Sequence, residues 1–463
     1  MIITASQQRR VRDTVAAVSR RLADPSAVAG AVELTHTRSG HPQVNQWRSA
    51  SLAFGDAGLA LALGAVDDAH PELELDTAGR HYLTRAVSDV RTSTPVSLFD
   101  GVAGLMAATK ALSRGGTRYR RLDESLAAWF PTAAQAALDH ALRAVDDGGP
   151  TMAYDLVSGV CGPAALLLSD PRLRDRHAGD LLRILDVLLD LLGHHEPGQG
   201  ELEHHESAHG ELGHHEPGHG DRPRIVTSPR FMLPEARPRY PHGAVDLGLA
   251  HGLPGVLATT ALALRHDDLP WPDPLRARLL ARLDREARWL AQLAHRLPDL
   301  GAWPQHIGWA PEPVPDQGAH TAGPTWCYGS AGLARALWLV AQALDDAGLR
   351  ALSLDIARAA ASRALSGLRS PTLCHGTAGT LLIMCHFAWD TDEPLFREAV
   401  HSLTDELLAA YDPASPVGYR DIENDARAVD NPGLLTGAAG VLLALLTAAR
   451  EAPAWWSRLF LLD

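Results

Sequence analysis

One pattern recurs seven times along this chain and restricts its possible folds more than any other feature. Two glycines three residues apart precede a run of small apolar residues: Gly55 and Gly58, Gly101 and Gly104, Gly159 and Gly162, Gly252 and Gly255, Gly329 and Gly332, Gly376 and Gly379, Gly437 and Gly440. A single copy would say nothing, but seven copies indicate a repeat architecture. The first glycine suits a turn that needs positive φ or close backbone approach. The second, among small neighbours, lets the start of a helix pack tightly. Between copies, Leu181 to Leu192, Pro274 to His295 and Ser353 to Leu368 have the apolar spacing of helices with one wet face. The pattern predicts an all-α fold: seven inner helices, apolar all round, each followed by an amphipathic outer helix and closed into an α/α toroid. The seven turns then meet at one end of the ring. Ser6 to Leu22 reads as a lone amphipathic helix, with Val11, Val15, Val18 and Leu22 on one face. His36 to Trp47 reads as irregular and polar. Strand signals are scarce, and Pro223, Pro229 and Pro234 make the stretch from Ile225 to Leu233 read as a loop.

At 463 residues, 46% apolar and 21% charged, the chain can bury a core without covalent staples. We read residues 1–463 as one toroid domain with a low-complexity insertion at 194–223. Within it His194-His195-Glu196, His204-His205-Glu206 and His214-His215-Glu216 repeat every ten residues among Gly and Pro. Such a tract lacks core residues and reads as a disordered linker, although histidines can also bind metal. It holds part of the formal charge of −13, a balance that argues against a nucleic-acid partner. Four cysteines, Cys161, Cys327, Cys374 and Cys385, are too few for a disulfide framework and fit reduced thiols in a cytoplasmic protein. No signal peptide is legible at the N-terminus. The longest apolar run, Gly433 to Ala449, is short for a membrane span and reads as a buried helix.

Two turns carry chemistry. Trp326-Cys327-Tyr328-Gly329 and Leu373-Cys374-His375-Gly376 place a cysteine at the same phase, two residues before the first glycine. Ring closure would bring them onto adjacent turns. Cys327, Cys374 and His375 supply two thiolates and an imidazole, three ligands that leave the fourth position of a tetrahedral zinc ion open. Each cysteine alone would read as a small buried hydrophobe. Cys385-His386, a helix's length past its turn, reads as core, and Cys161, between the glycines of the third repeat, reads as packing.

The chain resembles the lanthionine synthetase C family, the lanthipeptide cyclases. The resemblance is carried by the two cysteine turns, by Leu247-Gly248-Leu249-Ala250-His251-Gly252 and Tyr154-Asp155, and by Arg239-Tyr240-Pro241-His242-Gly243. Asp430-Asn431-Pro432-Gly433-Leu434-Leu435-Thr436-Gly437 adds to it. With no fused dehydratase or kinase region, it is similar to the stand-alone cyclases. The resemblance implies one zinc ion and thioether ring closure in a dehydrated precursor peptide, with a lanthipeptide dehydratase as a further partner. A substrate cysteine thiol adds to dehydroalanine or dehydrobutyrine, and the resulting enolate is protonated at Cα. It further implies His251 as the general acid and Asp155 as base or orienting partner. Tyr328 either hydrogen-bonds near the enolate or walls the site. On residue chemistry alone, Asp155 could equally be an N-cap and His251 a helix cap. Where many family members carry an arginine, four residues before the Cys of Trp-Cys-Tyr-Gly, this chain has Gly323. That departure leaves two other readings open: a non-catalytic scaffold that presents the precursor, and an enzyme that adds a small thiol such as glutathione. Paired carboxylates suited to a toroid glycosidase are missing from the turns.

Overall fold

Every second glycine of the repeat lies where a side chain would strike backbone. In the computed structural model, a Cβ on Gly379 would sit 1.9 Å from the carbonyl oxygen of Leu373 and 2.9 Å from Cβ of Trp326 on the neighbouring turn. Each turn thus folds back onto the first turn of its own helix, and the helix starts crowd together. The structure describes all residues except 1, 41–45, 92–93, 194–223, 235, 310–320, 424 and 451–452. The expected low-complexity insertion lies outside the described residues.

In chain order the helices are α1 (Ala5–Leu22), α2 (Pro25–Arg38), α3 (Asp56–Ala69), α4 (Asp76–Ser88), α5 (Val102–Leu112), α6 (Arg120–Asp147), α7 (Cys161–Leu168) and α8 (Pro171–Arg176). They continue with α9 (Ala178–Leu191), α10 (Leu253–Leu264), α11 (Leu275–Arg296), α12 (Ser330–Leu344), α13 (Ala347–Ala364), α14 (Thr377–Thr391), α15 (Pro394–Ala409) and α16 (Ala438–Ala448). Helices α3, α5, α7, α10, α12, α14 and α16 follow the seven glycine turns. They contact one another in that cyclic order, with α16 returning to α3, so the inner ring closes. Every residue of α10 is buried. By contrast α11, one of the outer helices, buries Leu275, Leu279, Leu283, Ala287 and Leu290 at a spacing of three or four and exposes charge elsewhere. Outer helices α4, α6, α9, α11, α13 and α15 each pack on the inner helix of their own repeat. The seventh outer place is taken by α1, which packs against α16, α15 and α3 and buries the expected face of Val11, Val15, Val18 and Leu22. The fold is the α/α toroid that the repeat predicts.

Two regions differ from the sequence reading. His36 to Arg38 are not irregular: they end α2, whose start is fixed by Asp24 accepting a hydrogen bond from the Ser26 amide, with Pro25 at the first helical position. Short strands are also present. β1 (Ala244–Asp246) pairs antiparallel with β2 (His306–Gly308), and β3 (Asp421–Ile422) with β4 (Ala428–Val429). The stretch at 225–233 forms no strand, as read, but its loop includes a 3-10 turn at Pro229–Phe231 and a bridge from Thr227 to Ala244. The C-terminal residues close the ring from within. Phe460 packs on both Phe99 and Trp326, and Trp326 Nε1 donates to the Phe460 carbonyl at 3.0 Å. No described helix is long and apolar enough to cross a membrane.

The clash at Gly379 yields a stability prediction. Gly379→Ala should destabilise by about 1–3 kcal/mol through overpacking against backbone. Gly30→Ala, inside α2 with nothing within 4 Å of the added Cβ, should stabilise by about 0.5–1 kcal/mol. Thermal melts of the two variants beside the wild type check the opposite signs.

Candidate active site

The turns are joined by a closed circuit of backbone hydrogen bonds at the phase of the two cysteines. The amide of Phe99 donates to Val157 O, Leu156 to Ala250 O, Ala250 to Cys327 O, Cys327 to Cys374 O, Cys374 to Leu435 O, Leu434 to Ala53 O and Leu52 to Phe99 O, at 2.7–3.3 Å. This circuit makes residues distant in sequence into neighbours. It also fixes direction, because at five of the seven turns the residue after the bonded position lines one cavity. His251, Tyr328, His375 and Thr436 occupy that next position, and all four line a cavity of about 890 Å³ together with Cys327 and Cys374.

Cys327 and Cys374 stand on adjacent turns with their thiols hydrogen-bonded to each other. The bond from Cys374, aided by nearby His375 and His251, holds the Cys327 thiol down to about 7 despite its burial. The same bond and burial push Cys374 up. His375 points its Nε2 at Asp421 Oδ1, 3.0 Å away. Burial alone would lower its pKa, but the Asp421 bond and charge raise it. Asp421 is itself fixed by the Ser370 hydroxyl at 2.8 Å. Among the described residues, no three His, Cys, Asp or Glu side chains form a group already arranged to hold a metal ion. The chemistry of the donor set nevertheless fits zinc. Two contacting thiols lie beside an imidazole whose far nitrogen is held by a carboxylate, leaving Nδ1 as the nitrogen available for ligation.

On the same rim, His251 Nδ1 lies 2.7 Å from Asp155 Oδ2. The other oxygen of Asp155 accepts from the amides of Ser158 and Gly159 at 2.6 and 2.9 Å. Asp155 is therefore not an N-cap: α7 starts further on, and its carboxylate braces the turn and the imidazole together. Burial would lower the His251 pKa, but the hydrogen bond and charge of Asp155, and then the charge of Asp246, raise it. Tyr328 stacks on His251, with ring centroids 5.8 Å apart, and donates its hydroxyl to Asp246 Oδ2 at 2.8 Å. Burial, with Asp246 beside it, raises the Tyr328 pKa far above the ordinary phenol range. Cys385 and His386 are fully buried, as is Cys161, so the structure assigns all three to packing. Gly323 lines the cavity wall, and a Cβ there would meet only Thr325 and Leu368, at 3.8 and 3.9 Å.

Sequence reasoning missed Asp246 and Asp421. Both sit on the short strands β1 and β3, outside the repeat phase, and no local signal marks them.

The sequence profile described as Lanthionine synthetase C-like protein matches residues 46–461. The chain belongs to the lanthionine synthetase C-like family. Among solved structures, one described as "Nisin cyclase" resembles this family member with a TM-score of 0.67 at 18% identity, over 93% of this chain and 96% of that one. A comparison with curated proteins finds no match. For this lanthionine synthetase C-like protein, the structural likeness independently supports the toroid described above.

Proposed function

We propose that this family member is a zinc-dependent lanthipeptide cyclase acting on a dehydrated precursor peptide. The observation that carries the reading is the meeting, on one rim, of the Cys327–Cys374 pair and His375 with the His251–Asp155 dyad. Cys327, Cys374 and His375 would hold the ion, with Asp421 orienting His375. A zinc ion there would depress the pKa of a substrate cysteine thiol so that a thiolate forms at neutral pH.

The protein's own groups account for the remaining chemistry. Sulfur forms a bond to the β-carbon of a dehydroalanine or dehydrobutyrine, and the electron pair of the broken π-bond moves to the amide oxygen as an enolate. Asp155 holds the Nδ1–H of His251, so Nε2 is the nitrogen left to deliver a proton to Cα. Asp155 acts as the orienting partner because both of its oxygens are already engaged. The hydroxyl of Tyr328 is committed to Asp246, which suits a wall rather than a proton source. The same reading takes the chain as one cyclase domain interrupted at 194–223. It places the domain in the cytoplasm, where its free thiols stay reduced, and makes a lanthipeptide dehydratase the supplier of the substrate.

The test is thiol alkylation of a dehydrated precursor after incubation with the protein. Ring closure is isomeric, so the expected result is loss of alkylatable cysteines at unchanged mass. Cysteines that stay as alkylatable as in the no-enzyme control would sink the cyclase reading. Peptide retained in a pull-down without turnover would then favour the scaffold, and a conjugate mass gain would indicate addition of a small thiol.

A further inference from the structure

Asp246 lies at the end of β1, directly across the two-stranded sheet from His306. It is 5% exposed, and three groups converge on its carboxylate. Oδ1 accepts from the Gly248 amide at 2.8 Å. Oδ2 accepts from the Tyr328 hydroxyl at 2.8 Å and meets His306 Nε2 at 3.2 Å. A buried carboxylate persists only when its lone pairs are satisfied in this way. The ring of Tyr328 is boxed as well. A Cβ on Gly248 would fall 2.7 Å from Tyr328 Cε1, so the backbone at Gly248 presses on the ring. The ring also stacks on His251, at 28° between planes. The hydroxyl of Tyr328 serves this carboxylate alone: a phenylalanine would fill the same space but leave Asp246 Oδ2 with only His306. The bond between Asp246 and Tyr328 sets the position of a ring that packs on the imidazoles of both His251 and His306.

We propose that Asp246 is a positioning residue for the reaction: it clamps the hydroxyl of Tyr328 so that the tyrosine ring holds the imidazole of His251 in line with the cavity. The inference rests on reading His251 as the proton donor of a cyclase. Asp155 anchors one edge of the imidazole through Nδ1, and a ring anchored at one atom can still tilt about that bond. The stacked Tyr328 ring opposes the tilt, and Asp246 keeps Tyr328 in place. Two carboxylates, one bonded to each ring of the His251–Tyr328 stack, therefore fix the proton donor, one directly and one through the tyrosine. Displacement of a reacting group by about 1 Å can cost about 100-fold in rate, so a clamp of this kind is worth measuring through turnover.

The test is a double-mutant cycle on ring formation with Asp246→Asn and Tyr328→Phe. Asparagine keeps an oxygen for the Gly248 amide, so the turn survives, but it puts an amide donor in place of the charged Oδ2 acceptor, so the charge-assisted bond from Tyr328 is lost and only a weaker, reversed contact to the tyrosine oxygen can replace it. Each single variant should lower kcat by about 10- to 100-fold with KM within about twofold of wild type. The double variant should lose no more than the worse single one, because both changes break the same clamp. Bound zinc should stay near wild type and the thermal midpoint should fall by only a few degrees, about what one lost buried hydrogen bond costs, which separates the effect from damage to the metal centre or loss of the fold. Wild-type kcat in Asp246→Asn overturns the inference, as does a double variant whose loss is the product of the two singles. If the wild-type protein closes no ring at all, the cyclase reading fails and takes the clamp with it. If rings close and only the variants behave as wild type, the clamp alone fails.

Discussion

Cys374→Ala is expected to remove bound zinc and to slow ring formation by about 1000-fold or more, while the protein stays folded. Losing a Lewis acid worth several kcal/mol to the transition state corresponds to about three powers of ten in rate. The fold should tolerate the change because the contribution of Cys374 to the ring of turns is made by its backbone. Its amide donates to Leu435 O at 2.8 Å and its carbonyl accepts from Cys327 at 3.1 Å, and alanine keeps both. The side chain is only partly buried, so the lost packing is small. Cys385→Ala is the counter-experiment. Cys385 is fully buried in α14 with no ionisable partner, and burial pushes its thiol far up. Its removal should cost stability, on the order of 1 kcal/mol for a small buried group, and leave the metal content untouched. Metal analysis per chain, thermal melting and the alkylation assay on both variants check this. A stoichiometry near one retained in Cys374→Ala would contradict the ligand assignment.

The contrast between these cysteines shows what the sequence could reveal. Cys374 and Cys385 are chemically identical, and Cys385 even has a histidine beside it. Only the repeat phase separates them. In the structure that phase is a physical object, the hydrogen-bond circuit through Ala53, Phe99, Ala250, Cys327, Cys374 and Leu435. Residues one step beyond it reach the cavity, as His375 does beside Cys374, whereas the role of His251 was marked by the family resemblance. Groups outside the circuit had no such marker. Asp246 and Asp421 lie on strands three and two residues long, too short for alternation to show, and each pairs with a segment placed by tertiary folding. The end of α2 was missed for a different reason. Its Asp24-Pro25 start was readable, but its apolar residues form no clear stripe. The role of α1 as the seventh outer helix is a matter of ring closure, and closure joins the two ends of a chain in a way that no local window contains.

His251 and Asp155 provide the second large effect, and its sign can be worked out. His251→Gln removes the proton donor and should lower the rate by about 100- to 10,000-fold. Asp155→Asn leaves the imidazole in place but changes what it faces. Asparagine can still accept from the Ser158 and Gly159 amides through Oδ1, so the turn is kept. Its amide nitrogen, however, would then donate toward His251 Nδ1. That favours the neutral tautomer with hydrogen on Nε2 and opposes the imidazolium. In the wild type, the Asp155 bond and charge overcome burial and hold the His251 pKa above its ordinary value. An acid must be protonated to act, so wild-type activity should persist as pH rises and fall only when pH passes this raised pKa. Without the Asp155 charge, burial acts unopposed by its main competitor and the pKa drops. The alkaline limb of the pH–rate profile should therefore move to lower pH, with about a tenfold loss at neutral pH for each unit by which the pKa falls below it. In His251→Gln the same limb should disappear, since the group that titrates is gone. Rates of ring formation between pH 5.5 and 9 for wild type and both variants, with bound zinc measured at each pH, decide the matter. An alkaline limb that keeps its wild-type position in Asp155→Asn would show that the carboxylate does not sustain the acid form of His251.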